Sequence, residues 1–251
     1  MEGKRMYIRS IVLKENAREL CDSYLFDIPA IRGLETLDLQ SPVTFFVGEN
    51  GSGKSTLLEA VAVAYGFNPE GGSKNFAFSS NPTHSGLYQA LRLVKGPVRP
   101  RDGFFLRAES FYNVATEVER LEEIGGPGLF DSFGGKSLHQ QSHGESFLSL
   151  AIHRFWGKGV YLIDEPEAAL SPSRQLTFLA RMGELVRDGS QFLIVTHSPI
   201  LMAYPGADIL LFGEDGIRRV KYEETEHYRI TKAFLESPQR MLRELLRGEE
   251  E

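Results

Sequence analysis

The stretch "FFVGENGSGKSTLLEA", residues 45–60, places a glycine-rich segment between an apolar run and a run of good helix formers. Within it, Gly48–Ser55 matches the pattern G-x-x-x-x-G-K-[ST] in full, after a predicted strand at 43–47 and before a predicted helix that ends at Gly66. A Cβ would block the approach of a phosphate to backbone N–H groups, so glycines suit a loop that binds a triphosphate. The nucleotide-binding residues predicted here are Gly48, Glu49, Asn50, Gly51, Ser52, Gly53, Lys54, Ser55 and Thr56.

Two side chains of this phosphate loop carry specific chemistry. Lys54 is predicted to reach the β- and γ-phosphates as a catalytic residue, and the Ser55 hydroxyl is predicted to bind Mg²⁺. The positive end of the helix that follows adds to the attraction for phosphate. The alternative is a purely structural glycine turn.

Hydrolysis also requires a carboxylate for the metal and a base for water, and "VYLIDEPEAAL" at 160–170 offers both. Asp164 ends an apolar strand, at the sheet edge where ligands bind in such folds, and is predicted to hold Mg²⁺. Glu165 follows it directly and is predicted to accept a proton from the attacking water. Alternatively, the two acids only cap the next segment.

Two further segments fit the same site. In "QFLIVTHSPIL", residues 191–201, His197 follows a buried strand and could polarise the γ-phosphate as a catalytic residue, or be structural. In "QSHGES", residues 141–146, Ser142, Gly144 and Glu145 precede a helix and form a second candidate anion site, although serine and glycine often merely cap helices.

The order of elements predicts an α/β fold with a mostly parallel central sheet. Further strands are expected at 104–108 and 159–164, a hairpin at 208–222, and helices at 111–124, 145–156 and 171–188. Glycine-rich loops are expected at 69–86 and 125–141. We interpret residues 1–251 as one domain with a loop-rich insertion at about 67–141, and we expect the C-terminal helix to pack on the core through Met241, Leu242, Leu245 and Leu246.

Bulk composition narrows the classes of protein. The 251 residues include 41% apolar and 25% charged side chains, as in an ordinary globular chain. The net charge of −6 excludes nucleic-acid binding by the whole surface, so such a contact would have to be local. One cysteine excludes an internal disulfide framework, and no apolar run is long enough for a signal peptide or a bilayer span, which indicates a cytoplasmic protein.

Together the four segments resemble the ABC class of P-loop ATPases: a Walker A loop at Gly48–Ser55, a signature at Ser142–Ser146, a Walker B pair at Asp164 and Glu165, and a switch histidine at His197. The signature is closest to the SMC/RecF-like soluble proteins called AAA family ATPases, including a group of small bacterial ATPases. The resemblance implies ATP and Mg²⁺ as cofactors. It also implies a homodimer that closes around ATP, with Ser142 and Gly144 contacting the nucleotide held by the partner.

The chain also departs from that class. Glu109 stands where a glutamine is usual, and the resemblance implies that it reaches Mg²⁺ through water; His143 stands where a glycine is usual. Between the phosphate loop and the signature there is no heptad pattern, so no coiled-coil arm is expected. No residue is assigned to stack on adenine, and Tyr7 and Phe26 are only guesses.

Three functions remain open from the sequence. The favoured one is an ATPase that dimerises on ATP and couples turnover to nucleic acid or to a separate effector chain. The alternatives are the nucleotide-binding subunit of an ABC transporter and a nucleotide sensor with negligible turnover. A basic cluster could meet DNA phosphates or could be a solvated loop; it comprises Arg92, Lys95, Arg99, Arg101 and Arg107.

Overall fold

A six-stranded sheet lies at the centre of the molecule in the order β5-β6-β7-β3-β8-β9, and a three-stranded sheet lies beside it in the order β2-β1-β4. The computed structural model describes residues 6–73, 85–107 and 142–246, together with Thr116, Glu119 and Arg120. The strands are β1 (Ile8–Leu13), β2 (Thr36–Asp38), β3 (Val43–Gly48), β4 (Leu91–Lys95), β5 (Asp102–Arg107), β6 (Gly159–Asp164), β7 (Gln191–Val195), β8 (Asp208–Gly213) and β9 (Gly216–Arg219).

Strands β5, β6, β7, β3 and β8 run parallel, and β9 returns antiparallel to β8. The helices are α1 (Ala17–Leu20), α2 (Pro29–Arg32), α3 (Lys54–Tyr65), α4 (Leu87–Ala90), α5 (His143–Ser149), α6 (Pro172–Arg187), α7 (Pro199–Met202), α8 (Glu226–Glu236) and α9 (Pro238–Leu246). Since every parallel strand points the same way, the residues that follow β3, β6 and β7 meet at one edge of the sheet.

The large sheet is covered on both faces, which explains why its strands are continuous apolar runs. On one face, Phe46 and Leu162 belong to a core cluster with α3 and the small sheet. On the other face, Phe45 and Ile163 pack in a second cluster with α5 and α6. Successive residues of one strand therefore enter different cores, as the two-residue period of a strand requires.

A buried glutamine joins the two sheets at the start of β7. Gln191 accepts hydrogen bonds from the backbone N–H groups of Tyr7 and Ile8, both at 2.9 Å, and its amide donates to the Ile8 carbonyl at 2.8 Å. A buried amide needs such partners, because an unpaired polar group in a core costs about 1–3 kcal/mol. Gln191 thereby fixes the antiparallel sheet against the parallel one.

Most elements predicted from the sequence are confirmed, including the strands β3, β5, β6 and β7 and the hairpin of β8 and β9. Helix α3 ends at Gly66, whose φ of 104° is the left-handed conformation that favours glycine. The helix predicted at 145–156 begins earlier, as α5, and continues as a π-helical turn at Leu150–Arg154. The predicted loop at 125–141, and nearly all of the predicted helix at 111–124, lie outside the described residues.

The prediction that the C-terminal helix packs on the core is wrong. Helix α9 has no buried residue, and its Leu245 and Leu246 side chains are 71% and 79% exposed. The apolar spacing of this helix is real, but α9 contacts α8 instead of the sheet. Within the described part of the chain, no helix is both long enough and apolar enough to cross a bilayer.

Candidate functional site: the phosphate loop and the carboxyl edge of the sheet

The phosphate loop leaves β3 and enters α3 through backbone conformations that require glycine. Gly48 has a φ of 139°, and a Cβ there would lie 2.3 Å from the carbonyl oxygen of Phe212. Gly53 has a φ of 93° and caps α3, where a Cβ would lie 2.7 Å from Ile28 Cγ2. A larger residue at either position would displace the loop. The glycines at the first and sixth positions of the motif are thus required by the backbone conformation and by the small space around them.

Lys54 closes the loop on itself. Its Nζ donates hydrogen bonds to the carbonyl oxygens of Gly48 at 2.9 Å and Glu49 at 2.6 Å. Burial lowers the pKa of the Lys54 ammonium, although the negative charges of Glu165 and Asp164 act in the opposite direction. The ammonium is therefore held among the loop carbonyls with the acidic pair close enough to influence its charge.

The phosphate loop and the acidic pair meet directly. Ser55 donates its hydroxyl hydrogen to Asp164 Oδ1 at 2.9 Å, across 109 positions of sequence. A serine hydroxyl beside a carboxylate is a donor set that suits Mg²⁺, which usually takes one or two protein oxygens and fills its other positions with phosphate and water. Among the described residues, no three His, Cys, Asp or Glu side chains cluster as a metal site of their own.

Glu165 has an unusual backbone. Its φ of 48° and ψ of 57° are left-handed, a conformation that costs a residue with a Cβ about 1–2 kcal/mol. The backbone N–H of Glu165 donates to the Val195 carbonyl at 3.0 Å, which ties the turn after β6 to β7. Strain of this kind persists where neighbouring contacts fix it, and it concentrates at functional sites.

His197 lies opposite Glu165, with 3.6 Å between His197 Nε2 and Glu165 Oε1. Burial and the nearby charge of Lys54 lower the pKa of His197, so its neutral form is favoured. His197 Nε2 is buried and has no hydrogen-bond partner among the described residues. The imidazole therefore presents an unpaired nitrogen beside the proposed base.

Glu167, which the sequence reasoning missed, anchors the backbone of this segment. Its carboxyl group accepts hydrogen bonds from the Thr196 hydroxyl at 2.8 Å and from the backbone N–H of His197. Burial raises the pKa of Glu167 above its ordinary value. Glu167 is the last acid of "DEPE" and was visible in the sequence, but nothing in the sequence shows that its side chain turns toward β7.

Arg107 was also misplaced by the sequence reasoning. It lies at the end of β5, where its Nη1 contacts Glu59 Oε2 at 2.5 Å and its Nε lies 4.0 Å from Asp164 Oδ2. Arg107 therefore lies against Glu59 and Asp164 and does not belong to a basic surface. A signal existed in Glu59, an acid on the buried face of α3 that needs a cation.

The rest of the predicted basic cluster is divided. Lys95, Arg99 and Arg101 line one cavity of about 570 Å³ at the amino edge of the large sheet, together with Arg154 and Trp156. Arg92 lines a different cavity. The five basic residues predicted as one patch therefore lie in three separate places, with Arg107 against Glu59 as the third.

The signature segment, Ser142–Ser146, makes contacts away from the phosphate loop of the same chain. Arg174 of α6 donates to Ser142 Oγ at 3.4 Å and to Glu145 Oε1 at 3.1 Å, and the Ser142 N–H donates to Glu145 Oε2 at 3.0 Å. At Gly144 a Cβ would lie 2.7 Å from the Ala169 carbonyl oxygen. Ser142 and Glu145 are exposed, so both remain accessible to another molecule.

The structure thus brings together Lys54, Ser55, Asp164, Glu165 and His197, and it places the signature segment elsewhere. Glu109 lies outside the described residues. The guesses for adenine stacking have no support, since Tyr7 and Phe26 are buried in the core at 2% and 7% exposure and neither ring has a free face.

Two family models match separate segments of the chain. The family described as "AAA domain" matches residues 25–100, and the family described as "AAA domain, putative AbiEii toxin, Type IV TA system" matches residues 143–203. The "DNA repair protein RAD50" of Drosophila melanogaster is 38% identical over 71 residues, which are 28% of this chain and 5% of that protein. The "ATP-binding cassette sub-family A member 7" of Rattus norvegicus is 25% identical over 178 residues, which are 67% of this chain and 8% of that protein.

The chain therefore spans less than a tenth of these curated relatives. Among solved structures, "Crystal structure of the SmcHead bound to the C-winged helix domain of ScpA" superposes with a TM-score of 0.50 at 15% identity, covering 85% of this chain and 97% of that one, and this likeness concerns the fold alone. The two family matches agree with the AAA-type ATPase domains that the resemblance predicted, over residues 25–100 and 143–203 of this chain.

Proposed function

We propose that the chain is a single Mg²⁺-dependent ATPase domain, two copies of which close around ATP and couple hydrolysis to nucleic acid or to a separate effector chain. The observation that carries the proposal is the 2.9 Å contact between Ser55 and Asp164, because it joins a phosphate-binding loop to the acids needed for hydrolysis.

Each residue has a role that its position supports. Lys54 can exchange its loop carbonyls for phosphate oxygens, and Ser55 and Asp164 would hold the metal. When bound, Mg²⁺ supplies positive charge against the charge that develops on the phosphates. Glu165, half-exposed beside His197, accepts the proton of the attacking water, and His197 donates a hydrogen bond to a phosphate oxygen.

Dimerisation is supported by the position of the signature segment. Ser142 and Glu145 are exposed and are anchored by Arg174 of α6, away from the phosphate loop of their own chain. An α-helix follows them, and its N-terminal N–H groups suit an anion. These residues are therefore accessible to a nucleotide that a second copy holds.

The dimer is tested with Glu165→Gln, which keeps the shape of the side chain but cannot accept a proton. We expect an ATP-bound dimer in light scattering with MgATP and a monomer without it. Adding Ser142→Arg should abolish this dimer and leave ATP binding to the monomer intact. A Glu165→Gln protein that binds ATP and stays monomeric would contradict closure around the nucleotide.

A nucleic-acid partner is supported by the cavity at the amino edge. Lys95, Arg99 and Arg101 are exposed, and Trp156 beside them is 63% exposed. Cations with an accessible aromatic ring suit a single strand, because phosphates meet the charges and bases stack on the ring.

We expect single-stranded DNA to stimulate phosphate release, and Arg99→Glu with Arg101→Glu to remove the stimulation without changing basal turnover. A flat response to DNA would leave an effector chain as the partner.

A transporter subunit is the second candidate, favoured by the match to the sub-family A member over 67% of this chain. That function requires a separate membrane-spanning partner. Co-purification of the chain with such a protein from membranes would favour it over the soluble ATPase.

A further inference from the structure

A second histidine contacts the switch histidine. His227 lies in the first turn of α8, and its Nε2 is 2.9 Å from His197 Nδ1. The two rings meet edge to face, at 62° with centroids 4.9 Å apart. His227 also lines a cavity of about 480 Å³ against residues Gly48–Ser52 of the phosphate loop. The start of α8 is therefore part of the site, although no motif in the sequence indicated it.

The hydrogen bond between the rings decides which nitrogen of His197 carries a hydrogen. A neutral imidazole has one N–H and one lone pair, so one ring donates and the other accepts. If His197 Nδ1 donated, the lone pair of its Nε2 would face the Glu165 carboxylate. If His227 Nε2 donates, His197 Nε2 carries the hydrogen and points it toward Glu165 Oε1 at 3.6 Å. Electrostatics favours the second arrangement.

The surroundings of the pair favour the neutral form of both rings, although nearby acids such as Glu165 raise the pKa. Burial and the charge of Lys54 lower the pKa of His197, and burial together with His197 lowers the pKa of His227. An Nε2–H on a neutral His197 can donate to a phosphate oxygen without adding a second buried cation beside Lys54. The same Nε2 is buried and has no acceptor within hydrogen-bond distance among the described residues, so a hydrogen on it has no partner there.

The backbone and the ring of His197 are held by different residues. Glu167 holds the backbone N–H, and His227 holds the ring through Nδ1. With the backbone fixed, the remaining freedom is rotation of the ring and the choice of tautomer. A neighbour that hydrogen-bonds the distal nitrogen of a functional histidine removes that freedom.

We propose that His227 is a positioning residue that donates its Nε2–H to His197 Nδ1 and so holds the switch histidine as the Nε2–H tautomer. The inference rests on the proposed ATP hydrolysis for its effect on turnover. It makes helix α8 part of the catalytic apparatus without any contact of its own with the reacting atoms.

The kinetic test compares two substitutions at one position. His227→Leu removes the donor, and we expect kcat to fall by about 10-fold or more while KM for ATP changes by less than about 2-fold, since the phosphate loop is untouched. His227→Gln keeps an N–H donor at a similar reach and should retain kcat within about 3-fold.

Arg229→Leu, an exposed neighbour on α8, serves as the control and should leave turnover unchanged. Equal kcat in the wild type and His227→Leu would overturn the inference, as would failure of His227→Gln to restore turnover.

The spectroscopic test needs no turnover. The chain has six histidines, so the ring nitrogens of His197 can be assigned in ¹⁵N spectra by their loss in a His197→Gln variant. We expect an Nε2–H tautomer in the wild type and in His227→Gln, and a mixture in His227→Leu. An Nδ1–H tautomer of His197 in the wild type would overturn the inference. Absence of ATP hydrolysis by the wild type would instead overturn the proposed function, and the spectra would still decide the role of His227.

Discussion

The two edges of the large sheet surround their buried acids with different partners. At the amino edge, Asp102 accepts hydrogen bonds from Arg154 at 2.8 Å, the Tyr161 hydroxyl at 2.7 Å and the backbone N–H of Trp156 at 3.0 Å. At the carboxyl edge, Asp164 accepts from the Ser55 hydroxyl, with Arg107 4.0 Å away. The first acid is enclosed by donors that hold the structure together, whereas the second shares its position with groups that suit a metal.

The same contrast appears at the two ends of β6. Lys158 before the strand and Glu165 after it are the two residues other than glycine with positive φ in the described part of the chain, at 49° and 48°. Lys158 is near Asp188 and far from the phosphate loop, whereas Glu165 faces the unpaired Nε2 of His197. A positive φ therefore occurs beside a surface ion pair at one end of β6 and beside the proposed catalytic residues at the other.

Asp164→Asn tests the carboxyl edge and should have the largest effect. The amide keeps an acceptor for Ser55 but loses the charge that would hold Mg²⁺, so we expect turnover to fall by about 10²–10³-fold. The free energy of unfolding should change by less than about 1 kcal/mol. Phosphate release at saturating MgATP and urea denaturation measure the two quantities. Turnover close to that of the wild type would remove Asp164 from the metal site.

Asp102→Asn is the matched change at the amino edge. The amide nitrogen would face donors, and Arg154 would lose its partner, so we expect a loss of about 3 kcal/mol in the free energy of unfolding. Turnover per folded molecule should stay at the wild-type level. A free energy of unfolding equal to that of the wild type would contradict a structural role for Asp102. Lost turnover in a fully folded Asp102→Asn protein would contradict the difference between the two edges.

Acidification should lower the free energy of unfolding through the pair His197 and His227. We expect this loss to be smaller than the loss caused by Asp102→Asn. Both His197 and His227 have a lowered pKa in the folded state, while the unfolded value is about 6.5. The unfolded chain thus binds more protons, so this contribution to stability is present above about pH 6.5 and is lost as pH falls through and below that value.

Urea midpoints at several pH values between 5.5 and 7.5 check this dependence. A variant with both histidines changed to glutamine should show a flatter profile than the wild type. His153→Gln, an exposed histidine away from the pair, should keep the wild-type profile. Parallel profiles for the wild type and the double variant would contradict the effect.

Relief of backbone strain should give the smallest effects. Asparagine tolerates the left-handed region, so Lys158→Asn and Glu165→Asn should each raise the free energy of unfolding by up to about 1 kcal/mol. Only Glu165→Asn should abolish turnover. Thermal unfolding and phosphate release, measured on both variants, check the two expectations. A loss of turnover in Lys158→Asn would show that strain at the amino edge also matters to the site.

Local patterns predicted much of this molecule. The loop at Gly48–Ser55, the strands before it and before Asp164, and the helix from Lys54 to Tyr65 follow from apolar runs and glycine positions. The small antiparallel sheet was not predicted, because β2 has three residues and β4 is only partly buried, so neither shows a strong period. The C-terminal helix was placed wrongly, because apolar spacing shows that a face exists and not what covers it.

The sequence by itself determined the phosphate loop and the order of the acids and the histidine, since these depend on residue type and spacing along one strand, turn or helix. Only the tertiary structure decided that Arg107 joins Glu59 and Asp164, that Glu167 holds the backbone of His197, and that His227 holds its ring. Those contacts link residues 30 or more positions apart. They depend on the direction in which each side chain leaves its element, which packing sets and local periodicity does not encode.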